Sequence, residues 1–149
     1  ASRGLGDVYK RQHSNIENIW DKIQDVNTLR EICKPKASFI ACDDSPIQWK
    51  EGKTFVFKMY LHGFLPVGRH TINVVKMDKT SRGIDTKEYD NTVVIWNHYI
   101  KMEEISQQVT RYTDTVDLYA GCLTSIAAWW TLKFYKHRQR KWQKIAKSL

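Results

Sequence analysis

His98 and Asp114 are the two residues of this chain whose types and spacing best suit acid–base chemistry. Each stands in a segment where apolar residues alternate, which predicts two neighbouring strands joined by a tight turn. If Met102 lies opposite Thr110, then His98 lies opposite Asp114 and both face the same side of the sheet. Such a pair can hold an imidazole tautomer for proton transfer or anchor the polar end of a ligand. A buried pair that only stabilises the sheet is the alternative, and a one-residue slip would separate the partners.

Large apolar residues surround this pair in the alternating pattern and recur at helical spacing near the C-terminus. They predict an apolar pocket with a few polar groups, which is the usual form of a small-molecule site. A solid core filled by the same aromatic side chains is the alternative. The expected ligand-binding residues are Phe55, Phe57, Met59, Trp96, His98, Ile100, Tyr112, Asp114, Val116, Ile126, Trp130 and Phe134.

The connection between two of the expected strands, residues 61–68, is unusually apolar for a turn. Its Phe64, Leu65 and Val67 are expected to form the mouth of the pocket. Contact with a membrane is a second interpretation, because exposed apolar patches mark interaction sites. Packing back onto the end of a helix is a third.

Other kinds of site have no sequence support. The remaining histidines lack the spacing of a metal site, the three cysteines form no CxxC pair, and no nucleophile or phosphate-binding motif occurs. We therefore expect no metal and no cofactor, and an enzyme has no positive indication. The cysteine pattern predicts core cysteines in a protein of the reducing cytoplasm. No apolar run approaches the ~18 residues that a membrane-spanning helix needs.

The formal charge of +8 is concentrated at the C-terminus. The last 17 residues hold seven Lys or Arg and no acid, so they account for +7 of it. Aromatic residues interleave with these charges, and attraction to an anionic membrane is the first functional interpretation. Nucleic acid is the second interpretation and is disfavoured, because no known nucleic-acid-binding motif is present. The solvated end of a helix is the alternative.

The first twelve residues look foreign to the protein. Asp7-Val8-Tyr9-Lys10-Arg11-Gln12 resembles the in-frame translation of a transposon end used in sequencing libraries. We expect residues 1–12 to be an assembly artefact, and the native chain to be truncated upstream of residue 13. Such a segment can still fold as a strand if the sheet has an empty place for one.

The elements that must position these residues follow from periodicity and turn chemistry. Ser14 and Glu17 form a capping-box pattern ahead of a helix, and Asn27 or Thr28 suits the cap of a second. Residues 43–46 and Ser106-Gln107 read as turns, and the more polar segment 83–89 reads as an edge strand. We predict helices at 15–24, 28–33 and 123–147, and strands at 37–42, 53–61, 68–77, 83–89, 93–104 and 108–119.

Several segments carry a family resemblance. Asn18-Ile19-Trp20-Asp21-Lys22-Ile23 resembles the first helix of the START-like (SRPBCC) superfamily, which includes birch-pollen allergens. Val94-Ile95-Trp96-Asn97-His98 and Thr110-Arg111-Tyr112-Thr113-Asp114 resemble its last two strands. The segment from Phe134 to Trp142 resembles the final helix of uncharacterised bacterial members. The resemblance covers residues 13–149.

The resemblance implies an α+β helix-grip fold. In that fold two short N-terminal helices accompany a curved antiparallel sheet of six to seven strands wrapped on a long C-terminal helix. It also implies binding of a hydrophobic small molecule or lipid between sheet and helix. Because the superfamily hosts many activities, fold does not settle function. The alternatives are a polyketide cyclase-type enzyme that uses His98 and Asp114, and a membrane-peripheral module that uses the basic helix end.

Overall fold

The computed structural model describes residues 3–42 and 48–149. The turn expected at 43–46 lies outside the described residues. The elements agree with the predicted ones to within a few residues, apart from the strand at the N-terminus. They are β1 (Arg3–Gln12), α1 (Ile16–Ile23), α2 (Val26–Cys33), β2 (Ala37–Ala41), β3 (Thr54–Leu61), β4 (Leu65–Asp78), β5 (Gly83–Tyr89), β6 (Ile95–Ser106), β7 (Val109–Tyr119) and α3 (Thr124–Ala146).

The strands form one antiparallel sheet of seven in the order β1-β7-β6-β5-β4-β3-β2. The long helix α3 packs across the sheet and against α2, so the chain has the expected α+β helix-grip architecture. The prediction of an edge strand at 83–89 is wrong, because β5 lies in the middle of the sheet. Its polar Thr86 and Glu88 are buried and face the interior, where other polar groups bind them.

Both short helices begin one or two residues away from the predicted caps. The side chain of Asn15, not Ser14, caps α1 by accepting from the backbone N–H of Asn18 at 2.8 Å. Ser14 is buried instead, and its carbonyl accepts a hydrogen bond from the Thr110 hydroxyl at 2.9 Å. Asp25 caps α2 through its side chain. Each helix therefore has a capped N-terminus, although the residue predicted to provide the cap differs.

The buried face of α3 is rotated relative to the predicted apolar stripe. The predicted stripe comprises Leu123, Ile126, Ala127, Trp130 and Phe134, yet Leu123 and Ile126 are 47% and 67% exposed. Arg138 and Gln139 point inward, because the sheet presents buried polar side chains to them. The buried residues of α3 are Ala128, Thr131, Phe134, Tyr135, Arg138, Gln139, Trp142, Ile145 and Ala146.

The register of β6 and β7 differs from the predicted one by two residues. Ile100 lies opposite Asp114, and His98 lies opposite Val116. The turn falls at 107–108 and an irregularity follows Glu104, which together account for the shift. A shift of two keeps every side chain on its predicted face, since strand side chains alternate. His98 and Asp114 are therefore diagonal neighbours on the inner face.

Strand β1 occupies an outer position of the sheet and pairs with β7. The buried side chain of Gln12 donates to the Oε1 atom of Gln139 on α3 at 3.5 Å. The segment expected to be foreign thus forms a strand, which leaves its origin a prediction. Among residues 3–42 and 48–149, no helix is both long and apolar enough to cross a membrane.

Candidate functional site

A small cavity, here called the inner chamber, lies between the sheet, the two short helices and α3. Its volume is about 60 Å³, which is room for a few water-sized groups. Its lining is apolar toward α1 and α2 and polar toward the middle of α3. The lining residues are Ile23, Thr28, Leu29, Ile32, Phe39, Trp49, His70, Ile72, Val74, Ile84, Thr86, Glu88, Trp96, His98, Ile100, Phe134, Tyr135 and Arg138.

A second and larger cavity, here called the apolar cleft, lies at the other end of the sheet. Its volume is about 240 Å³. It is enclosed by the β3–β4 hairpin, the β5–β6 connection and the first turns of α3. The lining residues are Met59, Leu61, Val67, Asp90, Thr92, Val93, Trp96, Leu123, Ile126, Ala127, Trp130 and Thr131.

Trp96 lines both cavities and forms a wall between them. Its indole N–H donates to the Tyr135 hydroxyl at 3.0 Å. Its ring packs edge-on against His70 with 5.1 Å between ring centroids. Trp96 is therefore the residue that the walls of the two cavities have in common.

His70 is held between two carboxylates. Its Nε2 atom lies 2.8 Å from the Glu88 Oε1 atom, and its Nδ1 atom lies 3.0 Å from the Asp90 Oδ2 atom. The other oxygen of Asp90 accepts from the backbone N–H groups of Thr92 and Val93. Both ring nitrogens of His70 are thus used, and this histidine serves to hold the carboxylates in place.

His98 is held differently. Its Nε2 atom lies 2.6 Å from the Asp114 Oδ1 atom, and the Gln139 amide donates to the Asp114 Oδ2 atom at 2.6 Å. Its Nδ1 atom lies 3.7 Å from the Glu88 Oε2 atom, which is longer than a hydrogen bond. That Glu88 oxygen accepts from the Thr86 hydroxyl at 2.6 Å. One ring nitrogen of His98 is therefore fixed, while the other stands near Glu88 at the chamber wall.

Electrostatics favours the ionised forms of these groups. Burial alone would lower the pKa of His70, but its hydrogen bonds to Asp90 and Glu88 outweigh that cost and raise the pKa to about 9. Burial is likewise outweighed at His98, where Asp114 and Glu88 raise the pKa. Burial would raise the pKa of Glu88, but the two histidines hold it well below its usual range.

The buried charges balance. The described residues hold three buried carboxylates and three buried groups that carry positive charge when both histidines are protonated. These residues are Glu88, Asp90, Asp114, His70, His98 and Arg138. Because an isolated charge is costly to bury, this balance is what lets six ionisable groups occupy one interior.

Arg138 is the buried cation of α3. Its guanidinium lies 4.8 Å from the centroid of the Tyr135 ring and 5.8 Å from that of Phe134. Its Nε atom has no hydrogen-bond partner among the described residues.

Burial raises the pKa of the nearby Cys33 thiol to about 12, so that cysteine stays neutral and is a poor nucleophile.

The predicted ligand-binding residues divide into four groups. His98, Ile100 and Phe134 line the inner chamber, Met59, Ile126 and Trp130 line the apolar cleft, and Trp96 lines both. Ile126 is 67% exposed, so its predicted burial was wrong although it borders the cleft. The remaining five are buried without lining either cavity, and they are Phe55, Phe57, Tyr112, Asp114 and Val116.

Part of the predicted pocket is therefore solid core. Phe57 packs edge-on against Phe39, and Phe55 packs against Trp49. Of the three residues expected at the mouth, Val67 lines the cleft. Phe64 and Leu65 are 77% and 49% exposed.

Sequence reasoning missed several interior polar residues, because polar residues on strands and helices are usually solvated. Two signals were available. Thr86 and Glu88 stand two apart in a strand, which places them on one face. Thr131, Tyr135, Arg138 and Trp142 recur at intervals of three to four, which is a helical face.

Among the described residues, no group of three or more His, Cys, Asp or Glu is arranged to hold a metal ion.

The basic end of α3 keeps its charges but not its expected apolar anchors. Phe134, Tyr135 and Trp142 are buried in the core. Lys136, Arg140, Lys144 and Lys147 are exposed. An anionic membrane contact at this end would thus rest on charge without aromatic insertion.

Comparison with solved structures decides the fold. The Zhui aromatase/cyclase from Streptomyces sp. R1128 superposes with a TM-score of 0.72 at 12% identity, covering 99% of this chain and 94% of that one. A START superfamily protein from Mycobacterium smegmatis superposes with a TM-score of 0.71 at 7% identity, covering 95% and 96%. The chain has the START-like helix-grip fold.

Norcoclaurine synthase from Thalictrum flavum, solved with a transition state analogue, shares this START-like fold. Its TM-score is 0.74 at 8% identity, and the match covers 99% of this chain and 96% of that one. No protein-family model and no curated protein sequence matches the chain. At these identities the START-like neighbours establish the architecture, and function must be argued from the cavities.

Proposed function

We propose that this protein binds a hydrophobic small molecule or lipid, with the apolar part of the ligand in the apolar cleft. The observation that carries the proposal is a cleft of about 240 Å³ whose walls are mainly aliphatic and aromatic side chains. Burying an apolar ligand there removes its surface from water, which contributes roughly 25 cal/mol of favourable free energy per Å². The START-like neighbours include a cyclase and a synthase, which supports small-molecule binding at this coarse level.

The rim of the cleft is itself apolar. Ile126 on α3 is 67% exposed, Leu123 just before α3 is 47% exposed, and both line the cleft. Phe64 in the β3–β4 turn, between the lining residues Leu61 and Val67, is 77% exposed. Large apolar side chains left in water around one opening are typical of a binding site. We propose this rim as the entrance for the ligand.

The size of the cleft restricts the ligand. Pockets for drug-sized molecules usually measure at least about 300 Å³. The cleft alone, at about 240 Å³, therefore suits one or two fused rings or a short alkyl chain. A longer ligand would need the inner chamber as well.

Two adjacent tryptophans provide a matched test. Trp130 lines the cleft and stacks on Phe134 with 4.9 Å between ring centroids. Trp129 is 60% exposed and lies under the Lys133 ammonium outside the cleft. We expect Trp130→Ala to weaken binding of ethylnaphthalene about tenfold, because aromatic anchors dominate such sites. Isothermal titration calorimetry measures this.

The control is Trp129→Ala, which we expect to leave the affinity unchanged within about a factor of two. Ile126→Gln is a second variant of the cleft lining. Because Ile126 is exposed, this substitution should not lower the stability of the fold. Equal affinities for the wild type and all three variants would contradict the placement of the ligand in this cleft. Mass spectrometry of the protein purified from cells, with extraction of any bound molecule, would identify a natural ligand.

A polyketide cyclase-type enzyme is the second candidate, and one observation favours it. His98 lines the inner chamber while Asp114, itself bound by the Gln139 amide, holds the Nε2 atom of its ring, which is the arrangement of an oriented acid or base. Incubation with a poly-β-carbonyl thioester mimic, followed by ultraviolet absorbance, tests this candidate. A wild-type rate equal to that of His98→Gln would remove it.

A membrane-peripheral role for the basic end of α3 stays a prediction. Flotation with anionic and neutral vesicles tests it. Equal flotation with both compositions, or none with either, would count against this role.

A further inference from the structure

Around the inner chamber, the carboxylate acceptors are paired whereas several hydrogen-bond donors are not. Every carboxylate oxygen of the buried network has a hydrogen-bond partner among the described residues. Several hydrogen-bond donors at the chamber wall do not. The chamber therefore lacks acceptors, and a buried donor without an acceptor destabilises the folded state.

Three donors stand in this position. The Arg138 Nε–H has no partner among the described residues. The Tyr135 hydroxyl accepts from Trp96, and no acceptor for its own proton lies in hydrogen-bond reach within the described part of the chain. The Nδ1 atom of His98 carries a proton in the protonated ring, the form that Asp114 and Glu88 favour, and lies 3.7 Å from its nearest carboxylate oxygen, beyond hydrogen-bond length. All three residues line the chamber.

Charge decides which kind of acceptor fits. The buried carboxylates and cations balance when both histidines are protonated, and a ligand carboxylate would then add an uncompensated negative charge to the interior. An uncharged oxygen acceptor satisfies the donors and keeps the balance. A carbonyl oxygen is compact enough for about 60 Å³ and has two lone pairs for these donors.

We propose that the inner chamber receives an uncharged carbonyl oxygen of the ligand whose apolar part occupies the apolar cleft. The proposal rests on the proposed function and names its ligand class as hydrophobic ketones, aldehydes, esters or amides. The oxygen reaches the chamber past Trp96, whose side chain lines both cavities. Arg138, Tyr135 and His98 donate to it.

Three compounds with one ring system separate the possibilities. Acetylnaphthalene ends in a ketone, ethylnaphthalene has no polar group, and naphthoate ends in a carboxylate. For the wild-type protein we expect acetylnaphthalene to bind about tenfold more tightly than ethylnaphthalene, and naphthoate to bind most weakly. The carbonyl stretch of bound acetylnaphthalene should shift to lower frequency than in hexane, because donors weaken that bond.

Tyr135→Phe removes one donor with little change of shape. We expect it to reduce the ratio of acetylnaphthalene to ethylnaphthalene affinity, because the loss of the acceptor for the Trp96 N–H affects both compounds whereas the loss of the donor affects only the ketone. Arg138→Lys keeps the charge and removes the Nε–H, and we expect it to reduce the preference for acetylnaphthalene as well. The wild-type compound series needs no variant to fold, so it tests the proposal independently.

The outcomes are distinct. Equal binding of the ketone and the hydrocarbon, or an unshifted carbonyl stretch, would overturn the carbonyl proposal and leave the proposed function standing. Tightest binding of naphthoate would overturn it in favour of an anionic ligand. Failure of all three compounds to bind would overturn the proposed function itself.

Discussion

Replacing Glu88 with glutamine will lower the free energy of unfolding by about 3 kcal/mol, the scale expected when a buried ion pair loses one partner. The substitution keeps the shape of the side chain but removes its charge. His70, 2.8 Å from Glu88, and His98, 3.7 Å from it, then share the remaining carboxylates. The interior carries an unbalanced positive charge unless a histidine loses its proton. Urea denaturation at neutral pH measures the change.

Glu104→Gln provides the matched control. Glu104 is exposed on the neighbouring strand β6, and we expect its replacement to change stability by less than about 0.5 kcal/mol. A change of that small size for Glu88→Gln as well would contradict the charged network described above. A lower free energy of unfolding for Glu88→Gln would support the placement of the polar side chains of β5 in the interior.

The second large effect is a loss of stability in alkaline solution. The pKa of His70 is raised from 6.5 to about 9 in the folded protein, so the folded state binds this proton more tightly than the unfolded state. The stabilisation is fully present below pH 6.5 and is lost as the pH rises through 9. The difference in pKa corresponds to roughly 3 kcal/mol.

Comparison with His70→Gln isolates this effect from other groups that titrate in alkali. We expect the variant to be much less stable than the wild type near about pH 6, and the gap to shrink by roughly 3 kcal/mol toward about pH 10. Urea denaturation across this range measures both proteins. A gap that stays constant with pH would show that His70 does not carry the proton that the geometry assigns to it.

The fold could be predicted from the sequence because its signals are local. Alternation of apolar residues, turn chemistry and a long C-terminal helical pattern each depend on neighbours in the chain. Register was less accessible, because it depends on where the β6–β7 turn closes and on one irregularity after Glu104. His98 and Asp114 were nevertheless placed on the correct face, since an error of two residues preserves the face.

The site was only partly predictable for a different reason. Asp114 and His98 stand among apolar neighbours, so the pattern singled them out as interior. Glu88 and Arg138 stand among other polar residues, and their burial depends on partners far away in the sequence. A buried polar residue is recognisable from sequence only when its neighbours in the same element are apolar.

The central claim is that a hydrophobic ligand occupies the apolar cleft. The six tryptophans of the chain each give one indole N–H signal in a nitrogen–proton correlation spectrum. Trp130 and Trp96 line the cleft, whereas Trp20 and Trp142 are buried without lining either cavity. Titration with acetylnaphthalene should shift the signals of Trp96 and Trp130 and leave those of Trp20 and Trp142 in place. Shifts confined to Trp20 or Trp142, or no saturable shift at all, would contradict the claim.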